Sequence, residues 1–245
     1  MWYNTDSIMR SILFFVIFFP FTLIMGILSV LCTLISFNPA VGHFFAHTWS
    51  KTLIKLAGVK VQRNGIENIP ESNQIIFIAN HQSLFDIPLL YAFIPKRFCI
   101  MAKKSLFQIP VFGWHLYLTK NIPIDRSNPV KAARSFLSAA RTIKQNISLL
   151  LFPEGTRSYK EKLLPFKKGA FVLVQKTNAL LVPVVIEGTR AVLFKSSLSV
   201  KKAQVSISFF TPIDPNLIKN STAEHLSSQV WELFDQHLTL KGSRL

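Results

Sequence analysis

Histidine and aspartate stand with four residues between them in Asn80-His81-Gln82-Ser83-Leu84-Phe85-Asp86. An imidazole held by a carboxylate can take a proton from a hydroxyl near neutral pH, because its ordinary pKa lies close to that range. The pair points to activation of an alcohol. A second cluster, Phe152-Pro153-Glu154-Gly155-Thr156-Arg157-Ser158, joins an acid, a glycine and an arginine. Arginine suits phosphate because its planar fork makes paired, charge-assisted hydrogen bonds, and glycine permits close backbone approach. Ile122-Pro123-Ile124-Asp125-Arg126 again sets an acid beside a cation, and Lys103-Lys104 and Lys167-Lys168 add positive charge facing any anionic substrate. Each cluster also has a plainer reading. Asp86 can cap a helix that begins at Ile87-Pro88, Glu154 and Arg157 can pair in an ordinary turn, and Asp125 with Arg126 can be a buried structural ion pair.

The elements that must hold these residues are legible as short apolar runs. Ile75-Ile76-Phe77-Ile78-Ala79 leads into His81, and Ser148-Leu149-Leu150-Leu151 leads into Phe152. Further strand-like runs lie around residues 59–61, 97–101, 118–124, 180–186 and 205–210, with helical stretches between them. That alternation predicts an α/β domain with a mixed, largely parallel sheet flanked by helices. Such sheets place ligands beyond the carboxyl ends of their strands, where both clusters fall. Val182-Pro183-Val184-Val185-Ile186-Glu187-Gly188 reads as an inner strand ending in a turn. Ser127-Asn128-Pro129 signals one helix start, and Ser221 with Glu224 has the spacing of a capping box at another.

The N-terminus is of another kind. Residues 11–50 contain no Asp, Glu, Lys or Arg, and Ile12 to Phe37 is almost wholly apolar. At about 1.5 Å per residue a helix of this length reaches across roughly 30 Å of hydrocarbon. Asn38-Pro39 then marks a break. From Ala40 to Leu56, Val41, Phe44, Phe45, Trp49, Leu53 and Leu56 recur at helical spacing opposite a polar stripe of His43, His47, Lys51 and Lys55. Such a helix suits the bilayer interface, with the two histidines as interface residues. The division expected is a membrane anchor over 1–57, either a span plus interfacial helix or two helices dipping into one leaflet, followed by the α/β domain over 58–245.

The 245 residues hold 28 Lys+Arg against 12 Asp+Glu, a formal charge of +16. Asp6 and Arg10 cancel, so the whole excess lies from residue 51 onward. That surface favours an anionic membrane or a phosphorylated substrate. Charge alone would also permit nucleic acid, but no recognised nucleic-acid module accompanies it, and no such partner is expected. Lysines following the apolar segment place the domain in the cytoplasm by the positive-inside bias. Two cysteines, Cys32 and Cys99, form no disulfide framework.

In order and content, the blocks at His81 and Asp86, at Asp125-Arg126, at Phe152 to Ser158 and at Val182 to Ile186 resemble the glycerolipid acyltransferase family. Within it they are most similar to the bacterial 1-acyl-sn-glycerol-3-phosphate acyltransferases. One departure is Pro123, where that family often carries an aromatic residue. The resemblance covers roughly residues 60 to 215 and implies transfer of an acyl group from a thioester of acyl-carrier protein or coenzyme A. The acceptor implied is the free 2-hydroxyl of lysophosphatidic acid, and the product phosphatidic acid, made at the inner membrane for phospholipid biosynthesis. It implies His81 as general base oriented by Asp86. It also implies Glu154, Gly155, Thr156 and Arg157 as the acceptor site, with Arg126 and Lys104 as helpers. No metal or bound cofactor is implied. Acylation of another lysolipid or lipid alcohol is the alternative, since the catalytic pair does not choose its acceptor.

Overall fold

Alternating residues of the central strand bury two opposite faces, and the rest of the architecture follows from that. The computed structural model describes residues 5–125, 128–158, 162–194 and 197–242. Two helices come first, α1 (Thr5–Ser36) and α2 (Pro39–Leu56), followed by β1 (Lys60–Asn64) and β2 (Ile75–Ala79). Every side chain of β2 is buried. Ile75, Phe77 and Ala79 join the core on one side of the sheet, and Ile76 and Ile78 the core on the other. A strand enclosed on both faces needs an unbroken apolar run rather than alternation.

The chain continues through α3 (Asp86–Phe93), β3 (Phe98–Lys103), α4 (Phe112–Leu118), β4 (Ile122–Ile124), α5 (Pro129–Lys144) and β5 (Ser148–Leu151). It ends with α6 (Gly169–Thr177), β6 (Leu180–Glu187), α7 (Thr189–Val192), β7 (Gln204–Phe209), α8 (Pro215–Asn220) and α9 (Ala223–Gly242). Among the described residues the sheet has seven strands in the order β1-β7-β6-β2-β5-β3-β4. Neighbours are parallel except β6 and β7, which run antiparallel. The mixed, largely parallel sheet expected from the sequence is therefore present. Leu53, Ile54, Leu89 and Leu90 of α2 and α3 cover one face, and Ile143, Phe171, Leu226 and Phe234 of α5, α6 and α9 cover the other.

Three helices begin alike. Asn38, Asn128 and Asp214 each accept a backbone N–H of the first turn, at 3.0, 3.0 and 2.8 Å, and proline follows each of them. The side-chain oxygen satisfies an otherwise orphan donor, and proline has no N–H to lose there. At α9 the cap lies one residue beyond the expected Ser221. Thr222 Oγ1 accepts from His225 N at 3.1 Å, while Glu224 turns outward to Lys168 at 2.9 Å, so no capping box forms.

Two further expectations are corrected. The run 118–124 is not one strand, because α4 reaches Leu118 and only Ile122–Ile124 pairs with β3. Between them Lys120 turns in the left-handed region at φ 65°, and Asn121 N closes the turn on Leu116 O. His43 and His47 do not face lipid headgroups. His47 Nδ1 lies 2.7 Å from Tyr91 O, and the His43 ring packs against Tyr91 and Phe98. Burial, reinforced by the Arg97 guanidinium, lowers His43 to about 4, so it is neutral at ordinary pH. The face of α2 that packs inward holds Gly42, Ala46, Ser50, Leu53 and Ile54, and Phe44 stays exposed.

Among the described residues, α1 alone is long and apolar enough to cross a membrane by length and composition. Part of one flank is nonetheless docked on the protein. Val200 N donates to Ser11 Oγ at 3.0 Å, Phe14 packs on Phe85 with ring centroids 6.2 Å apart, and Ser29 Oγ lies 2.8 Å from His115 Nδ1. Burial lowers His115 to about 4 as well. Elsewhere the helix exposes Leu13, Ile24, Leu28, Leu31 and Ile35. An apolar surface of that size suits membrane association.

Candidate active site

Strands β2 to β6 all point the same way, so their carboxyl ends share one edge of the sheet. β2 delivers Asn80 and His81 there, its neighbour β5 delivers Phe152 to Ser158, and its other neighbour β6 delivers Gly188 to Leu193. Asn80 locks the arrangement. Its side chain donates to Ile186 O and accepts from Ile186 N, both at 2.8 Å, inside the protein. A buried amide bonded in both directions fixes β2 against β6 at the point where the chain leaves the sheet.

His81 Nδ1 lies 2.7 Å from Asp86 Oδ2. The same oxygen accepts the backbone N–H groups of Gln82 at 2.7 Å and Ser83 at 2.9 Å, and Oδ1 accepts the Thr189 hydroxyl at 2.5 Å. Asp86 is fully buried, so these donors replace the water that a carboxylate would otherwise hold. Asp86 is the first residue of α3, yet it does not cap that helix through its own turn. It gathers the preceding loop instead. With Nδ1–H given to Asp86, Nε2 is left as the acceptor, and the side chain is 16% exposed. Phe152 stacks on the imidazole at 4.1 Å and 21°, which limits its rotation.

Glu154 is buried, and its two oxygens accept His81 N at 2.6 Å and Leu164 N at 3.1 Å. The resemblance implies an acceptor contact for Glu154, whereas its carboxylate here faces two main-chain donors. Burial raises its pKa from 4.5 to about 7, against the pull of those two hydrogen bonds. Ser158 N donates to His81 O at 2.9 Å, so the block after β5 engages both the N–H and the C=O of His81. Gly155 turns at φ 74°, and a Cβ there would lie 3.1 Å from Lys167 Nζ, which crosses directly above. Lys167 thus lies against the turn at Gly155, which is followed in the chain by exposed Thr156 and half-buried Arg157. Lys104 is exposed where β3 ends, two strands from β2, and Arg126 lies outside the described residues.

Asn80, Phe152 and Thr189 have no role that is evident from the sequence. The first two lie inside the candidate segments, Asn80 next to His81 and Phe152 at the head of the block that carries Glu154. Thr189 carries no such signal, because it approaches Asp86 across 103 residues.

An apolar cavity of about 330 Å3 opens on the α1 side of the sheet, between α1, α2, α3, β3 and the segment 106–116. Phe19, Leu23, Ala46, Tyr91, Ala102 and Leu116 are among its lining residues, and so is Ile87, next in the chain after Asp86.

A largely parallel sheet with a carboxylate-held histidine at its carboxyl edge has the architecture of an α/β enzyme whose histidine can act as a base. The comparisons make the class specific: the model of the Acyltransferase family matches residues 60–187, and the chain belongs to that family. The 1-acyl-sn-glycerol-3-phosphate acyltransferase of Cocos nucifera is 36% identical over 198 residues, covering 80% of this chain and 64% of that relative. The chain thus spans less than two thirds of that plant protein's length. The enzyme of the same name from Salmonella typhimurium is 30% identical over 211 residues, covering 86% of this chain and 85% of that one. The crystal structure of the 1-acyl-sn-glycerophosphate (LPA) acyltransferase, PlsC, from Thermotoga maritima matches with a TM-score of 0.86 at 25% identity, over 99% of this chain and 98% of that chain.

Proposed function

We propose that the protein transfers an acyl group from a thioester to the sn-2 hydroxyl of 1-acyl-sn-glycerol 3-phosphate, giving phosphatidic acid. The observation that carries this reading is the 2.7 Å contact between His81 Nδ1 and buried Asp86, in a chain of the Acyltransferase family. His81 Nε2 takes the hydroxyl proton as the oxygen attacks the thioester carbonyl. The tetrahedral intermediate then expels the thiolate, which leaves as a thiol with the proton from the imidazolium. Asp86 holds the tautomer and stabilises the charged ring. The acceptor alcohol attacks directly, so no enzyme nucleophile is required.

Arg157 binds the acceptor phosphate, with Lys104, Arg126 and Lys167 adding positive charge and Thr156 and Gly155 shaping the same edge. Glu154 serves this site by holding the His81 main chain. The cavity beneath α1 receives an acyl chain, as its apolar walls favour. The donor is a thioester of acyl-carrier protein or coenzyme A, and phospholipid is the surrounding phase.

Residues 1–57 act as the anchor and 58–245 as the catalytic unit, at the inner membrane with the catalytic unit on the cytoplasmic side. Along α1, contacts from Ser11 to Ser29 occupy roughly 27 Å of helix. A helix docked over that length is not surrounded by lipid, which favours α1 lying in one leaflet over crossing both.

Washed membranes carrying the protein, given lysophosphatidic acid and each donor, should form phosphatidic acid. Membranes carrying the His81→Ala protein should not. Near-normal turnover by His81→Ala would sink the assignment of the base.

A further inference from the structure

The segment after β6 holds the catalytic loop at more than one point. Beyond the Asn80–Ile186 pair, Ser83 Oγ donates to Leu193 O at 2.8 Å and Thr189 Oγ1 donates to Asp86 Oδ1 at 2.5 Å. Thr189 is buried and opens the single turn α7. It reaches Asp86 because Gly188 turns the chain sharply at φ 81°, where a Cβ would lie 2.3 Å from Gln204 O.

The two oxygens of Asp86 are used differently. Oδ2 takes the imidazole and two backbone donors of its own loop, whereas Oδ1 takes a donor from a distant part of the chain. The loop donors move with the loop. The bond to Oδ1 references the carboxylate to the sheet, through Gly188 and β6.

We propose that Thr189 is a positioning residue for acyl transfer: its hydroxyl fixes the rotation of the Asp86 carboxylate and so aims the His81 imidazole at the acceptor hydroxyl. Through the same bond it draws charge from the carboxylate and sets how strongly Asp86 stabilises the imidazolium. A hydrogen bond to an ionised, buried acceptor is among the stronger ones, and orientation of a general base enters the rate directly. The inference rests on the function proposed above.

The test uses the full chain in membranes or detergent, with lysophosphatidic acid and a thioester donor, and His81→Ala as the control. Thr189→Val keeps the shape and removes the donor; Thr189→Ser keeps the donor and removes a methyl group. Thr189→Val should lower kcat about tenfold or more with KM for both substrates little changed. The acid limb of its kcat profile should move to higher pH, because a carboxylate relieved of one donor favours the charged imidazole more. Thr189→Ser should restore both the rate and the limb. Thermal midpoints of both variants close to the parent's would show that the fold is intact.

An unshifted profile with unchanged kcat in Thr189→Val overturns the inference. So does equal slowing in both variants, which assigns Thr189 to packing. If the parent itself transfers no acyl group, the proposed function fails and takes the inference with it. If the parent transfers and His81→Ala does not, failure at Thr189 leaves the function standing.

Discussion

Glu154 Oε1 accepts the backbone N–H of His81 at 2.6 Å, so the segment after β5 holds the main chain of the residue whose side chain Asp86 holds. Two acids thus serve one histidine in different ways. Both are buried, but Asp86 is ringed by four donors whereas Glu154 has two. The consequence is measurable as a pH dependence.

Burial lifts Glu154 from 4.5 to about 7, so between those values the folded protein holds this proton more tightly than the unfolded chain does. Stability must then fall as pH rises through that window, by an amount on the order of 3 kcal/mol for this group. Glu154→Gln has no such titration. Denaturant unfolding of both proteins from pH 4.5 to 7 should give a flatter curve for the variant, and parallel curves would remove Glu154 as the source.

Arg157→Ala should raise the KM for lysophosphatidic acid about tenfold or more while leaving the KM for the thioester unchanged, as expected when a charged hydrogen bond worth about 1.5–3 kcal/mol is lost. Steady-state kinetics with each substrate varied in turn separates the two. A change confined to the donor would move the phosphate elsewhere.

Asn80→Leu should destabilise the protein by about 2–4 kcal/mol, because it leaves the buried N–H and C=O of Ile186 without their partner. Chemical denaturation measures the loss. A stability equal to the parent's would mean that β2 and β6 stay registered by their ladder alone.

Ala46 lines the apolar cavity from α2. Ala46→Phe should shift donor preference toward shorter acyl chains, and overpacking should cost about 1–3 kcal/mol of stability. Competition between donors of several lengths reads the preference. An unchanged profile would place the acyl chain outside this cavity.

Much of this arrangement can be read in the sequence, and the parts that cannot share a cause. β2 and β5 are legible because burial on both faces demands unbroken apolar runs, and the candidate site blocks follow them directly. Asn128 and Pro129 announce α5 because a cap is a local event. Phe112-Gly113-Trp114-His115-Leu116-Tyr117-Leu118 conceals α4, since an apolar run of that length has no period to separate helix from strand. Spacing puts His43 and His47 on the correct helix but on a lipid-facing stripe, because it gives the stripe and not the neighbour that covers it. Tyr91 and Phe98 do so from later in the chain. Thr189 is hidden for the same reason, as are the internal partners of Glu154.

The strand order also sets a timetable. Asp86 and Thr189 are 103 positions apart, and Asn80 and Ile186 106. A ribosome adding roughly 5–20 residues per second needs about 5–20 s to pass from the first of each pair to the second. During that interval α1 and α2 have already been made, while the loop carrying His81 lacks the donors that β6 and α7 bring. The growing chain thus carries its apolar helices before the loop that holds His81 is complete. That loop gains its last partners when β6 pairs with β2 and Thr189 reaches Asp86.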